Sequence, residues 1–118
     1  MELKFEKLEV WRISLECIDK VYALLEKYPR SEEYILKQQG KRSITSVSLN
    51  IAEGSCKHTQ KEFAHFVNIS IGSLVETLAN LKIGLQRKYI TDADFKGIEP
   101  LLDKMYFKLM ALEKTLRK

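Results

Sequence analysis

Apolar residues recur along this chain at alternating steps of three and four, the spacing that lines up one stripe of a helix. Leu8, Trp11, Leu15, Ile18, Tyr22 and Leu25 mark the first such stripe, and Pro29 ends it by lacking an amide hydrogen and disfavouring helical backbone before it. Ser31 offers an N-cap, with Glu32 and Glu33 where the helix dipole favours negative charge, so a second helix is predicted from Ser31 to about Glu53. Its apolar face is thin. Leu36, Ile44, Val47 and Ile51 carry it, interleaved with Gly40, Ser43 and Gly54, a pattern that allows a neighbouring backbone to approach closely.

The stretch SLNIAEGSCKHTQKEF, Ser48 to Phe63, then reads as a stop and a start. Gly54 is predicted to end the second helix in the left-handed region, and Thr59 with Glu62 has the spacing of a capping box that opens a third. Phe63, Val67, Ser70, Leu74, Leu78, Leu81 and Leu85 extend that helix to about Lys88. A fourth begins at Thr91 or Asp92 and carries Phe95, Ile98, Leu102, Met105, Leu109, Leu112 and Leu116. Four long amphipathic helices with short links predict an all-α fold, an antiparallel up-and-down four-helix bundle.

Composition agrees with one domain spanning residues 1–118. The chain is 45% hydrophobic, enough to bury a single core, and its five Gly and two Pro disfavour a many-turned β fold. No apolar run approaches the roughly 20 residues that span a bilayer, and the first residues lack a signal-peptide pattern, so a cytoplasmic protein without a membrane partner is expected. Cys17 and Cys56 are far apart with no CxxC spacing, which predicts two reduced thiols.

The net charge is +4 and the pI about 9.0. Between Tyr34 and Lys61 stand Lys37, Lys41, Arg42, Lys57 and Lys61, with His58 besides, against Glu53 alone. A local excess of this kind attracts the phosphates of RNA or DNA when the cations share a surface. With no recognition-helix pattern and no interleaved aromatic platform, backbone contact is the most that these charges support, and solvation of the surface accounts for them equally well.

Catalytic constellations are incomplete. Four-helix bundles hold paired metals with two Glu and two Glu-x-x-His pairs. Glu62 and His65 form one such pair, with Glu53 and Glu76 as companions, but there is no second, so neither a metal nor another cofactor is expected. Cys56 and His58 lack a third residue to orient the imidazole, and no glycine-rich phosphate loop is present. What is left is a polar stripe: Ser43, Ser46, Asn50 and Glu53 on the second helix, Gly72, Ser73, Glu76 and Asn80 on the third. Close packing joined by hydrogen bonds and an interface with another subunit both account for it.

The series Asn50-Ile51-Ala52-Glu53-Gly54, then Lys57, Thr59, Glu62-Phe63, Phe66 and Gly72-Ser73-Leu74 with Glu76, resembles the signature of the bacterial proteins named for the intervening sequences of 23S ribosomal RNA genes. Phe5-x-x-Leu8-x-Val10-Trp11 and Tyr28-Pro29 extend the resemblance over nearly the whole chain. It implies an antiparallel bundle, a ring-like homopentamer and no known enzymatic activity. The family is in turn similar to the accessory variability determinant of diversity-generating retroelements, a basic pentameric bundle that works with a reverse transcriptase and nucleic acid. Two functions are therefore expected to compete: an oligomer that binds RNA or DNA through Lys37, Lys41, Arg42, Lys57, His58 and Lys61, with Asn50, Glu53, Ser73 and Glu76 as an interface or polar network, and a protein-interaction scaffold, for instance a reverse-transcriptase accessory protein, whose charge is incidental.

Overall fold

The computed structural model describes residues 1–118. Helix α1 spans Glu9–Leu25, α2 Leu36–Ser55, α3 Gln60–Gln86 and α4 Asp92–Leu116, with short 3-10 turns at Lys4–Lys7 and Arg30–Glu32. Each helix packs on its chain neighbours, and α4 closes the bundle against α1. The molecule is 44 Å long and 24 by 22 Å across, so its two ends are distant surfaces. One end gathers the start of α1, the α2–α3 link and the finish of α4; the other gathers the α1–α2 link, the finish of α3 and the start of α4.

The core takes a stripe from each helix: Cys17, Val21 and Leu25; Ile44, Val47 and Ile51; Val67, Leu74 and Leu81; Ile98, Leu102, Met105 and Leu109. On α1 the buried line runs through Val10, Ile13, Ser14, Cys17, Val21, Leu24 and Leu25, so the predicted stripe, Leu25 apart, is displaced toward solvent. Leu15 is 41% exposed, while Trp11, Ile18 and Tyr22 cover the core's edge.

Two predicted boundaries on α2 are corrected. The helix starts at Leu36, because Ser31 lies within the Arg30–Glu32 turn and Ile35 has non-helical backbone, φ −120° and ψ −98°. The turn is tied to the end of α3, where the Tyr89 hydroxyl donates to Glu32 Oε2 at 2.8 Å. Local capping preference yields here to a tertiary anchor. Gly54 does not take the left-handed region either: no glycine has positive φ, and α2 continues to Ser55. A Cβ on Gly54 would lie 2.6 Å from Phe66 Cβ and 2.9 Å from Phe63 Cδ1, so its role is to let α2 and α3 meet at their junction.

The other ends follow ordinary chemistry. Glu62 N–H donates to Thr59 Oγ1 at 3.1 Å to cap α3. Thr91 and Asp94 form a reciprocal capping box on α4, each backbone N–H donating to the other side chain at 3.0 Å. Helix α3 closes on a Schellman turn, with Tyr89 N–H donating to Gly84 O at 2.8 Å and Lys88 N–H to Leu85 O at 3.0 Å. The left-handed position is Lys88, φ 63°, a residue that nothing in the sequence marks for it.

Candidate nucleic-acid interface

The basic residues singled out from the sequence divide between the two ends of the bundle. Twenty residues of helical rise put Lys37 and Lys57 about 30 Å apart. The two groups then differ in what surrounds them.

At the α1–α2 end the cations are internally paired. Lys37 is 8% exposed, and its ammonium lies 3.0 Å from Glu33 Oε1 and 3.2 Å from Glu26 Oε2. Hydrogen bonds to Glu33 and then Glu26 raise its pKa above the usual lysine value. Lys41 reaches Glu26 Oε1 at 3.0 Å and sits 5.1 Å from the centre of the Tyr22 ring. Bonds from Lys41 and Lys37 in turn lower the Glu26 pKa. Lys37 and Lys41, one turn apart, thus project together, and both converge on a carboxylate of the turn that follows α1, which leaves them engaged within the chain. Lys27 and Asp94 pair nearby at 2.8 Å, which holds the Asp94 carboxyl below its usual range. Arg42 is exposed and has no carboxylate partner.

At the other end the link cations are less engaged. His58 and Lys61 are exposed and have no acidic partner, while Lys57 stands over the Phe66 ring at 5.1 Å with a loose 3.8 Å contact to Glu53. Helix α4 finishes beside them. A cavity of about 370 Å³ is lined by Lys61, Glu62, His65, Phe66 and Arg117, and a second of about 360 Å³ by Gln60, Lys61, Leu116, Arg117 and Lys118. The start of α3 and the last turn of α4 thus share a concave surface carrying Lys61, His65, Arg117 and Lys118. Arg117 and Lys118 do not stand out in the sequence, because they lie more than fifty residues from the link. Only the antiparallel return of α4 brings them there.

The predicted polar network exists in part. Asn50 Nδ2 donates to Ser46 O at 2.9 Å and to Ser46 Oγ at 3.0 Å, and the Ser46 and Ser73 hydroxyls share a hydrogen bond at 2.9 Å. Thr77 donates to Ser73 O at 2.9 Å and bonds Ser43 at 2.7 Å, which carries the line inward between α2 and α3. Glu53 and Glu76 are not in it. Both are exposed; Glu53 turns to Lys57, and Glu76 has no partner. The buried members of that line are Ser43 and Thr77; Ser70, which donates to Val47 O at 2.9 Å, and Asn80 are buried outside it. Asn80 Nδ2 donates to Leu36 O at 2.8 Å, and its Oδ1 and backbone O accept from the Tyr28 hydroxyl at 3.0 and 3.1 Å.

No three His, Cys, Asp or Glu side chains converge as a metal ligand set. Glu62 Oε1 accepts from the Thr59 hydroxyl at 3.1 Å, and His65 is exposed with its ring edge-on to Phe66. Both cysteines are free thiols in different settings: Cys17 is buried, which pushes its pKa up to about 12, and Cys56 is exposed with Sγ 3.0 Å from Glu53 O. Thiolate is the reactive form. A disulfide reagent such as dithiobisnitrobenzoate is expected to titrate one thiol per folded chain and a second only after unfolding, with Cys56→Ser removing the fast phase; two equally fast thiols would contradict the burial of Cys17.

No helix is long and apolar enough to cross a membrane. Among curated proteins none matches the chain. Among solved structures, a protein of unknown function from the S23 ribosomal protein family of Bacteroides thetaiotaomicron VPI-5482 superposes with a TM-score of 0.81 at 24% identity, covering 89% of this chain and 98% of its own. A likeness at that identity carries the fold. The sequence family described as 23S rRNA-intervening sequence protein matches residues 6–111, from the first 3-10 turn through most of α4, and the chain belongs to that family.

Proposed function

We propose that this protein is a non-enzymatic, self-associating bundle that binds the backbone of RNA or DNA through the basic end formed by the α2–α3 link and the finish of α4. The observation that carries this reading is the contrast between the ends. Lys37 and Lys41 are occupied by Glu26 and Glu33, whereas Lys61 meets Arg117 and Lys118 on a concave surface, with His58 unpaired and Lys57 only loosely paired in the link before it. Arg42, exposed near the start of α2, lies far from that surface and is outside it. Phosphate contacts of this type bring affinity without sequence preference.

Self-association is supported by the exposed apolar residues Leu49 on α2 and Ile69 and Ile83 on α3, at 67, 38 and 43% exposure, on the helices that carry the small and polar Ser46, Gly72 and Ser73. Large apolar side chains left in water on neighbouring helices favour protein contact. A ring, with the pentamer that the family resemblance implies, would repeat the basic end in every subunit and add avidity. The same apolar face supports the second reading, a scaffold that docks another protein such as a reverse transcriptase. Light scattering at micromolar concentration together with binding to two unrelated RNAs tests the proposal. It predicts about five times the 13.7 kDa chain mass and similar affinity for both RNAs. A monomer would remove self-association, and an oligomer that binds neither RNA would leave the scaffold.

A further inference from the structure

We propose that the cavity between the first turns of α3 and the last turn of α4 receives the terminal phosphate of a nucleic-acid strand. This rests on the backbone-binding reading and adds a ligand for one part of that surface. The cavity, about 370 Å³, is lined on the α3 side by Lys61, His65 and Phe66 and on the α4 side by Arg117. Arg117 Nε bonds Glu113 Oε2 at 3.0 Å, which fixes the guanidinium while its two terminal nitrogens stay free to donate. The Lys61 ammonium has no carboxylate partner. Cationic donors from two helices thus border one concavity with the Phe66 ring in its wall, and the Lys57 ammonium stands 5.1 Å from that ring's centre.

Such a shape suits a strand end better than an internal phosphate. A phosphodiester carries a single charge and has chain leaving on both sides, so it lies on a surface more readily than in a hollow. A terminal phosphomonoester carries about −1.5 to −2 at neutral pH and offers three acceptor oxygens to donors on several sides. Phe66, with Leu116 in the adjoining cavity, leaves apolar surface for the last base. Glu62 also lines the cavity, and its carboxylate opposes an anion. It holds the Thr59 hydroxyl at 3.1 Å, a contact a glutamine retains, so Glu62→Gln removes the opposing charge without removing the cap.

The experiment measures one short oligonucleotide bearing a terminal phosphate or a terminal hydroxyl, at each end in turn, by fluorescence anisotropy, with inorganic phosphate as competitor. A phosphate at one end is expected to tighten binding about tenfold, the effect of added charge-assisted hydrogen bonds. Lys61→Gln with Arg117→Gln should abolish the preference while leaving residual affinity from Lys57 and His58, and Glu62→Gln should widen it. Equal affinity for phosphate and hydroxyl ends overturns the pocket and leaves backbone binding standing. Loss of binding by every oligonucleotide overturns both. Inorganic phosphate that competes at the same concentration as the phosphorylated strand would assign the cavity to free phosphate and overturn the strand-end reading.

Discussion

Replacing Asn80 by alanine is expected to destabilise the protein by about 2 to 4 kcal/mol, among the largest effects available to a single polar side chain. Asn80 is 3% exposed and its carboxamide bonds two other elements, donating to Leu36 O at the start of α2 and accepting from the Tyr28 hydroxyl beyond α1. Truncation leaves the Leu36 carbonyl without that donor, and the penalty exceeds the net value of the hydrogen bonds themselves. The packing around the residue is equally close, since a Cβ on Gly40 would lie 3.4 Å from Asn80 Nδ2 and one on Gly84 would collide with the Tyr28 hydroxyl. Thermal unfolding should show a midpoint lowered by about 10 °C. A shift of a degree or less would mean that the α1–α2 link is held by its apolar contacts alone.

Tyr28 adds a pH signature to the same junction. Burial pushes its phenol up to about 12. An acid whose folded pKa is raised contributes stability that is whole below the unfolded value near 10 and is lost as pH rises from there toward 12. In Tyr28→Phe that part of the alkaline loss should disappear, at a cost of about 1 kcal/mol at neutral pH for the missing hydroxyl bonds.

The helical periods, the thin glycine-bearing face of α2, the cap at Thr59 and the start of α4 at Thr91 or Asp92 were legible because each depends on residues a few positions apart. The start of α2 was not, since Ser31 is a good cap in isolation while backbone bonds within residues 29–35 and the distant Tyr89 bond to Glu32 hold its segment in another turn. Of the two roles the sequence suggests for Gly54, close approach holds, since its lack of a side chain serves Phe66 and Phe63, and the left-handed turn does not. The polar stripe was half legible. Asn50 and Ser73 are joined through Ser46, but Glu53 and Glu76 share their helical spacing while facing water. The basic surface was the least legible part. A count of cations along α2 does not contain Glu26, which quenches Lys37 and Lys41 from outside the helix, or Arg117 and Lys118, which come from the far end of the chain.

The second large effect separates the two ends in binding. Replacing Lys57, Lys61 and Arg117 together by glutamine should weaken binding to any RNA by about ten- to a hundred-fold near physiological salt, because phosphates that no longer meet a cation keep their condensed counterions and the entropy of releasing them is forfeited. Fold and assembly should survive, as Lys61 and Arg117 are exposed and Lys57 is only half-buried. Replacing Lys37 and Lys41 by glutamine should do the reverse: stability falls as Glu26 and Glu33 are deprived of their partners, and RNA affinity barely changes. The decisive measurement is a salt titration of RNA binding by the wild type and these two variants. Backbone binding at the α2–α3 end predicts that the logarithm of affinity falls linearly with the logarithm of salt, with a slope smaller by about 2 to 3 in the Lys57, Lys61, Arg117 variant and unchanged in the Lys37, Lys41 variant. Equal slopes in all three proteins, or a slope that flattens only when Lys37 and Lys41 are replaced, would contradict it.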